Sequence, residues 1–176
     1  MASKTGEVLE VEVIPLSEES LQAVEQRIAF DWGNPCKHRN RLREQQSGKA
    51  AYLIAWYEKQ AIGHALVKWD GPAHHAIAAR LDNCAEIEDL FVHPSYRSRG
   101  VGSQLLSCAE QMAKQRRFPI IGLGVAVDNS GARRLYEHKD FKDTGLGEYT
   151  SRWPWRDQDG NEQWAEETCC YLIKRL

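Results

Sequence analysis

Alternating apolar and polar positions open the chain and recur in several later segments. Val8, Val11 and Val13 are interspersed with glutamates over residues 7–14, which indicates a first strand ending at Pro15. β-branched and aromatic runs predict further strands over residues 50–57, 62–69, 84–93, 120–127, 146–155 and 165–173. In the strand 120–127, Gly122 and Gly124 form a small face, which a packed helix would explain.

Apolar residues spaced three and four apart predict helices between these strands. Leu21, Val24 and Ile28 form such a stripe after the capping residue Ser17, and this helix should end at the turn of residues 31–35. Three further helices are expected over residues 37–46, over residues 101–117 and from Asn129 towards Phe141, and residues 70–83 are expected to be flexible.

The order of elements predicts the fold. Residues 84–127 give a strand, a helix and a strand, which requires a right-handed crossover and a parallel pair inside an otherwise antiparallel sheet. We expect an α/β (α+β) fold with a mixed, mostly antiparallel twisted sheet and helices on both faces. A length of 176 residues suits one domain over residues 1–176.

Charge and cysteine content narrow the function class. The 23 Lys and Arg against 25 Asp and Glu give a net charge of -2, so no general attraction to nucleic acid or an anionic membrane is expected. Five cysteines without zinc-ligand spacing are interpreted as reduced thiols, and no metal site is expected. With no apolar run long enough for a membrane span, the chain is expected in the cytoplasm.

A glycine-containing turn lies between the predicted strand 84–93 and the helix that follows. Its sequence is Arg97-Ser98-Arg99-Gly100-Val101-Gly102, followed by Ser103. Backbone N–H groups at such a helix start bind phosphate, and the arginines add donors suited to phosphate oxygens. A Rossmann fingerprint would need glycine at Leu105, and a P-loop would need lysine at Ser103, so neither motif is present.

Two segments together resemble one family. IEDLFVHP at residues 87–94, followed by RSRGVG and a helix, resembles the acetyl-CoA signature of the GNAT superfamily of N-acetyltransferases. The second half also matches, because Asn129, Ala132, Leu135-Tyr136 and Phe141 resemble the family's Asn-x-x-Ala-x-x-Leu-Tyr segment. One departure is Asp140, where the family usually has glycine, although aspartate tolerates a left-handed helix end.

The resemblance implies acetyl-CoA as co-substrate and a central splayed pair of parallel strands. The pantetheine arm would then lie in the gap, bonded to strand backbone near Leu90, Phe91 and Val92, and the pyrophosphate would lie on residues 98–103. Asn129 resembles the residue that touches the cofactor near the thiol, although a plain helix N-cap explains it equally well.

Acetyl transfer to an amine needs a proton acceptor, because an alkylammonium ion has a pKa of about 10. Glu86 and Glu88 share one face of a regular strand, while Asp89 would face the other way. The resemblance implies that this strand can carry a bulge, which would disturb that alternation. Glu88 resembles the base of the spermidine/spermine branch and Glu86 that of the histone acetyltransferase branch; we favour Glu88. The resemblance also assigns Tyr136 as the acid that protonates the leaving thiolate, without a covalent acyl-enzyme.

The acceptor is expected to be the primary amine of a small molecule, with two other readings open. A protein acetyltransferase would need an open peptide groove, and a non-catalytic acyl-CoA sensor would not need Glu88 and Tyr136. The basic residues Lys37, Arg39, Arg41 and Arg43 form either a cover for an anionic acceptor or a solvated helix face. Trp153, Trp155 and Trp164 suit stacking on a ligand or a homodimer surface.

Overall fold

The computed structural model describes residues 7–28, 36–157 and 159–176, which form the following strands and helices. The strands are β1 (Glu12–Pro15), β2 (Ala50–Tyr57), β3 (Gln60–Lys68), β4 (Cys84–Val92), β5 (Ile120–Ala126), β6 (Lys142–Asp143), β7 (Tyr149–Arg156) and β8 (Glu162–Arg175). The helices are α1 (Glu18–Arg27), α2 (Lys37–Gln46), α3 (His75–Ala78), α4 (Val101–Gln115) and α5 (Ser130–His138). The turn expected at residues 31–35 lies outside the described residues.

The described strands form one mixed sheet in the order β1-β2-β3-β4-β5-β8-β6, with β7 paired to β8. β4 and β5 are parallel and the other neighbours are antiparallel, as the sequence predicted. No helix in the described part of the chain is long and apolar enough to cross a membrane.

Four elements differ from the sequence prediction. β1 is shorter than residues 7–14 because Leu9 donates its N–H to the Arg99 carbonyl, at 3.0 Å, and so runs beside the start of α4 instead of pairing in the sheet. Residues 70–83 contain the short helix α3, residues 142–143 form the short strand β6, and β8 begins earlier and ends later than residues 165–173.

Two apolar clusters hold the helices on opposite faces of the sheet. On one face α4 and α5 bury Leu105, Leu106 and Tyr136 against Leu53 and Ile121. On the other face α1 and α2 cover a second cluster, which includes Leu21, Val24, Leu42, Tyr52 and Ile54. The sheet therefore has a fully packed face under α4 and a second face that α1 and α2 cover beside β2 and β3.

Gly122 and Gly124 give β5 a small face, for which the sequence favoured helix packing. Tyrosine rings fill that space instead. A Cβ at Gly122 would lie 2.5 Å from Cε1 of Tyr171, and a Cβ at Gly124 would collide with the Tyr149 hydroxyl. The helix interpretation was wrong because β8 and β7 project these rings over the strand.

We expect Gly122→Ala to lower the free energy of unfolding by about 1–3 kcal/mol, because the buried Tyr171 ring leaves no room for a methyl group. Gly131→Ala is the matched control. It lies in α5 with its nearest neighbour 3.9 Å away, so alanine should leave stability unchanged or raise it by up to about 1 kcal/mol. Urea unfolding measures both, and equal stability of the two variants would contradict this packing.

Candidate active site

β4 and β5 separate soon after they meet. Their parallel pairing covers Cys84, Ala85 and Glu86 of β4, and it ends where Glu86 lies opposite Gly122. β4 nevertheless continues to Val92 and β5 to Ala126. The edge of β4 that faces β5 therefore presents backbone N–H and C=O groups without a partner strand. The splayed pair predicted from the sequence is confirmed.

The turn after β4 exposes the start of α4. Ser98 and Gly100 both adopt left-handed backbone, with φ of 58° and 80°. Gly100 is the N-cap and has no side chain, so among the described residues the N-cap gives the first N–H groups of α4 no side-chain hydrogen bond. The helix dipole adds positive potential at this end. A helix start of this kind can bind an anion, and the phosphate site expected at residues 98–103 stays a prediction.

Gly102 and Arg97 also make structural contacts, in addition to the phosphate-binding role expected for them. A Cβ at Gly102 would come within 3.0 Å of Leu135, so glycine here lets α5 approach α4. The Arg97 Nε donates to the Val92 carbonyl at 3.0 Å, which ties the turn to the end of β4. Leu9, bonded to the Arg99 carbonyl, supports the turn from the other side.

A bulge interrupts β4 just past the point of separation. Glu88 pairs with Leu66 and Phe91 with His64, so Asp89 and Leu90 together oppose one residue of β3. Asp89 is left-handed, with φ of 51°. On a regular strand Asp89 would face away from Glu88, but the bulge disturbs the alternation and Asp89 lines the same cavity as Glu88.

Asp89 faces the basic side of α2. Its carboxylate accepts hydrogen bonds from Lys37 Nζ, at 2.7 Å, and from the Arg41 guanidinium. Burial alone would raise the pKa of Asp89, but the charges of Arg41, His64 and Lys37 outweigh it and hold that pKa below the ordinary value. Arg39 instead pairs with Glu25 of α1, so the basic face of α2 is divided between two partners.

Glu86 and Glu88 form a carboxyl pair beside the separation point. The buried Glu86 accepts the Ala73 N–H at 2.8 Å. Burial, and then the charge of Glu88, raise the pKa of Glu86 to about 8. Glu88 is more exposed and lies 3.8 Å from Lys68 Nζ. The pair can hold one proton and accept another, which is the requirement for a general base near neutral pH.

A cavity of about 970 Å³ lies over this face of the sheet. β4, β5, β7 and β8 line it from the sheet, and α1 and α2 line it from the helical layer. Sequence reasoning missed the contributions of Tyr149, Ser151 and Glu167. Two of them could have been predicted, because Tyr149 and Ser151 lie on the same face of a regular strand as Trp153, which was a candidate for ligand stacking.

Tyr136 and Asn129 lie on α5, on the other side of the sheet from α2. The Tyr136 ring is buried, with its centroid 6.2 Å from that of Phe141. Burial, and then the charge of Asp89, raise the pKa of Tyr136 to about 12, so its hydroxyl keeps the proton at neutral pH. Asn129 caps α5 by accepting the Ala132 N–H at 3.1 Å.

The neighbouring histidines of the α3 segment are stacking residues. The rings of His74 and His75 lie 5.1 Å apart, and His74 lies 4.6 Å from Tyr149. Within residues 7–28, 36–157 and 159–176, no group of three or more His, Cys, Asp or Glu side chains is placed to hold a metal ion.

A splayed parallel pair followed by an uncapped helix start agrees with one family in particular. The model of the acetyltransferase (GNAT) family matches residues 19–141, which is more than half of the chain. The chain belongs to this family.

Curated relatives of this GNAT chain match it over shorter segments. An uncharacterized N-acetyltransferase of Methanocaldococcus jannaschii is 41% identical over 59 residues, which cover 34% of this chain and 26% of that protein. The aminoalkylphosphonate N-acetyltransferase of Salmonella typhimurium is 29% identical over 91 residues, which cover 52% of this chain and 56% of that protein. The match thus spans between about a quarter and a little over half of these relatives.

Solved structures share the fold over nearly the whole chain. The PaiA N-acetyltransferase of Thermoplasma acidophilum, solved in complex with coenzyme A, superposes with a TM-score of 0.64 at 20% sequence identity. The alignment covers 96% of this chain and 100% of that protein. At this identity the likeness establishes the mixed α/β fold of the GNAT family for this chain.

Glu86 should make stability depend on pH. Its pKa in the folded protein lies above the ordinary 4.5, so folding favours the neutral form, and the stability it contributes is lost as pH rises from about 5 to about 8. Glu86→Gln should remove this loss. The free energy of unfolding of the variant, relative to that of the wild type, should therefore rise by about 2–4 kcal/mol between pH 5 and pH 8. Glu162→Gln, on the exposed end of β8, is the control. Parallel stability curves for Glu86→Gln and wild type, measured by urea unfolding, would contradict the burial of a neutral carboxyl.

Proposed function

We propose that this chain is an acetyl-CoA-dependent N-acetyltransferase that moves the acetyl group directly from the CoA thioester to the primary amine of a small molecule. No covalent acyl-enzyme is needed. The observation that carries the proposal is the open edge of β4 past the last paired residue. The carboxyl pair lies at the closed end of this splay, and the uncapped start of α4 follows the other end of β4.

The open edge and the turn would hold acetyl-CoA. The pantetheine arm finds backbone partners near Leu90, Phe91 and Val92, and the pyrophosphate finds N–H donors at residues 98–103. Arg99 adds charge, and Arg97 braces the turn through Val92. Asn129 would contact the co-substrate near the thiol while it caps α5. When bound, acetyl-CoA supplies an activated acyl group, and the protein supplies position and proton transfer.

Proton removal from the amine is assigned to Glu88. Glu86 stays largely protonated at neutral pH because burial raises its pKa to about 8, which makes it the poorer proton acceptor of the two. Glu88 is the more exposed carboxyl of the pair and lies 3.8 Å from Lys68 Nζ. Glu86 then acts as the neutral neighbour that shares the proton, and above pH 8 it becomes a second base.

Two further groups would complete acyl transfer. Negative charge develops on the thioester oxygen, and a backbone N–H near Leu90 is suited to receive it. Tyr136, protonated throughout the neutral range, can give its proton to the departing thiolate.

The shape of the cavity favours a small acceptor. Lys37 and Arg41 of α2 lie over one part of it, and Trp153 of the β7–β8 hairpin lines another, which leaves little room for an extended peptide. Arg27 and Arg152 also line the cavity, and one relative is an aminoalkylphosphonate N-acetyltransferase, so amines that carry an anionic group are the first acceptors to test.

A reducing compartment such as the cytosol fits the absence of disulfides among the described cysteines. Exposed Trp153 and Trp164 on the hairpin would suit a homodimer.

Acetyl-CoA binding should depend on Ser103, at the third position of α4. Ser103→Asp places a carboxylate in the first turn of α4, where the helix dipole stabilises negative charge, so thermal stability should stay the same or rise. The same carboxylate repels the pyrophosphate, and the Kd for acetyl-CoA should rise at least about tenfold. Calorimetric titration measures this affinity. The control Gln22→Glu adds the same charge at an exposed position of α1 and should bind acetyl-CoA with the affinity of the wild type. Normal affinity in Ser103→Asp would refute the turn as the phosphate site.

The base should be identified by pH profiles of the two glutamine variants. Acetyl-CoA is first offered with polyamines, amino acids, aminoalkylphosphonates and a peptide with a free N-terminus, and thiol release identifies the best acceptor. With that amine, Glu88→Gln should lower kcat about 100-fold, most strongly at low pH, where deprotonating the amine is hardest. Glu86→Gln should lose less activity. The reverse order would make Glu86 the base, peptide preference would favour a protein acetyltransferase, and binding without turnover would favour a sensor.

A further inference from the structure

Helix α2 contacts the bulge of β4 through a buried cation. The Arg41 side chain is 9% exposed, and its guanidinium donates to Asp89 Oδ2. It also lies over the Tyr52 ring, 5.1 Å from the centroid. A guanidinium held by an aromatic face on one side and a carboxylate on the other has little freedom to move.

The helix that carries Arg41 is itself fixed to the fold. His38 bonds to the Tyr52 hydroxyl at 2.8 Å through one ring nitrogen and to the Ile28 carbonyl at 2.7 Å through the other. At the other end of α2, the Gln45 side chain donates to the Leu16 carbonyl and accepts the Tyr52 N–H. α2 is therefore a rigid reference for whatever Arg41 holds.

Arg41 holds a residue with an unfavourable backbone. Asp89 has a φ of 51°, a region that only glycine enters freely. Within the bulge, Asp89 turns towards α2 while Leu90 packs into the cluster under α4. The conformation at Asp89 consequently sets the direction of the next two peptide groups, which border the gap between β4 and β5.

We propose that Arg41 and Asp89 are positioning residues, whose ion pair holds the β4 bulge so that the backbone at Leu90 and Phe91 is aligned for the thioester. This inference rests on the proposed function. Neither side chain touches the reacting atoms in this account; the pair acts through the backbone of β4. A loosened bulge would leave acceptor binding intact and slow the acyl transfer, since preorganised donors are effective only when correctly aligned.

Substitutions that remove the pair should change kcat and spare KM. Arg41→Gln and Asp89→Asn should each lower kcat about tenfold or more, with KM for the amine within about twofold of wild type. Asparagine is chosen because it tolerates left-handed backbone as aspartate does, so only the charge is lost. Because the two residues act as a unit, the double variant should be no slower than the worse single variant.

Two comparison variants guard against a loss of folding. Arg39→Gln removes the exposed pair of α2 with Glu25 and should keep full activity. Arg41→Lys keeps the charge without the planar fork and should recover part of the lost kcat, at a melting temperature close to that of wild type. Full activity of Arg41→Gln and Asp89→Asn would overturn the inference. A raised KM for the amine with normal kcat in Asp89→Asn would also overturn it, by making Asp89 an acceptor-binding group.

NMR spectra, which need no turnover, test whether the ion pair holds the bulge independently of the proposed function. In ¹⁵N spectra, Arg41→Gln should shift the amide resonances of Leu90 and Phe91 and speed their hydrogen exchange, whereas Arg39→Gln should not. If wild type releases no thiol from acetyl-CoA with any amine, the proposed function fails, yet these spectra still decide whether the pair holds the bulge. Unchanged Leu90 and Phe91 signals in Arg41→Gln would overturn it.

Discussion

The separation of β4 from β5 is the constraint on which the rest of the structure depends. Their parallel pairing ends at Glu86 and Gly122, and past that point the two strands cannot satisfy each other's backbone groups. Backbone polar groups left at an inner edge of a sheet require another partner. An extended, amide-bearing molecule such as the pantetheine arm of acetyl-CoA meets that requirement, as a strand would.

The same separation brings the proposed chemistry to one place. Glu86 is the last residue of β4 that pairs with β5, so its carboxyl lies at the closed end of the gap, where burial and then the charge of Glu88 raise its pKa. The bulge follows three residues later and turns Asp89 towards α2. The helix start that is suited to phosphate follows the end of β4 after a short turn. The proposed proton acceptor, the proposed thioester-aligning backbone and the proposed phosphate site thus follow one another along β4 and the turn after it.

The sequence was most informative where local physics decides the outcome. The glycine-containing turn before α4 and the small residues of β5 were visible in the sequence, and the crossover between β4 and β5 followed from element order. Asp140 also adopts the left-handed helix end expected of it, with φ of 66°. These features need only neighbouring residues, so a local pattern suffices to predict them.

Features set by distant partners were not predictable in this way. No glycine marks the bulge at Asp89, and its ion-pair partner Arg41 lies 48 positions earlier in the chain, so only the family resemblance pointed to a bulge. The rings over Gly122 and Gly124 come from β8 and β7 and could not be distinguished from a packed helix. Likewise, Tyr149 and Glu167 enter the cavity only through the pairing of the last two strands.

A crystal structure of the chain with coenzyme A would test the central claim most directly. Our account predicts pantetheine density between the edge of β4 at residues 87–92 and β5, with the pyrophosphate on the backbone N–H groups at the start of α4. Coenzyme A bound elsewhere on the protein, or a splay that closes into continuous pairing past Glu86 in the complex, would contradict it.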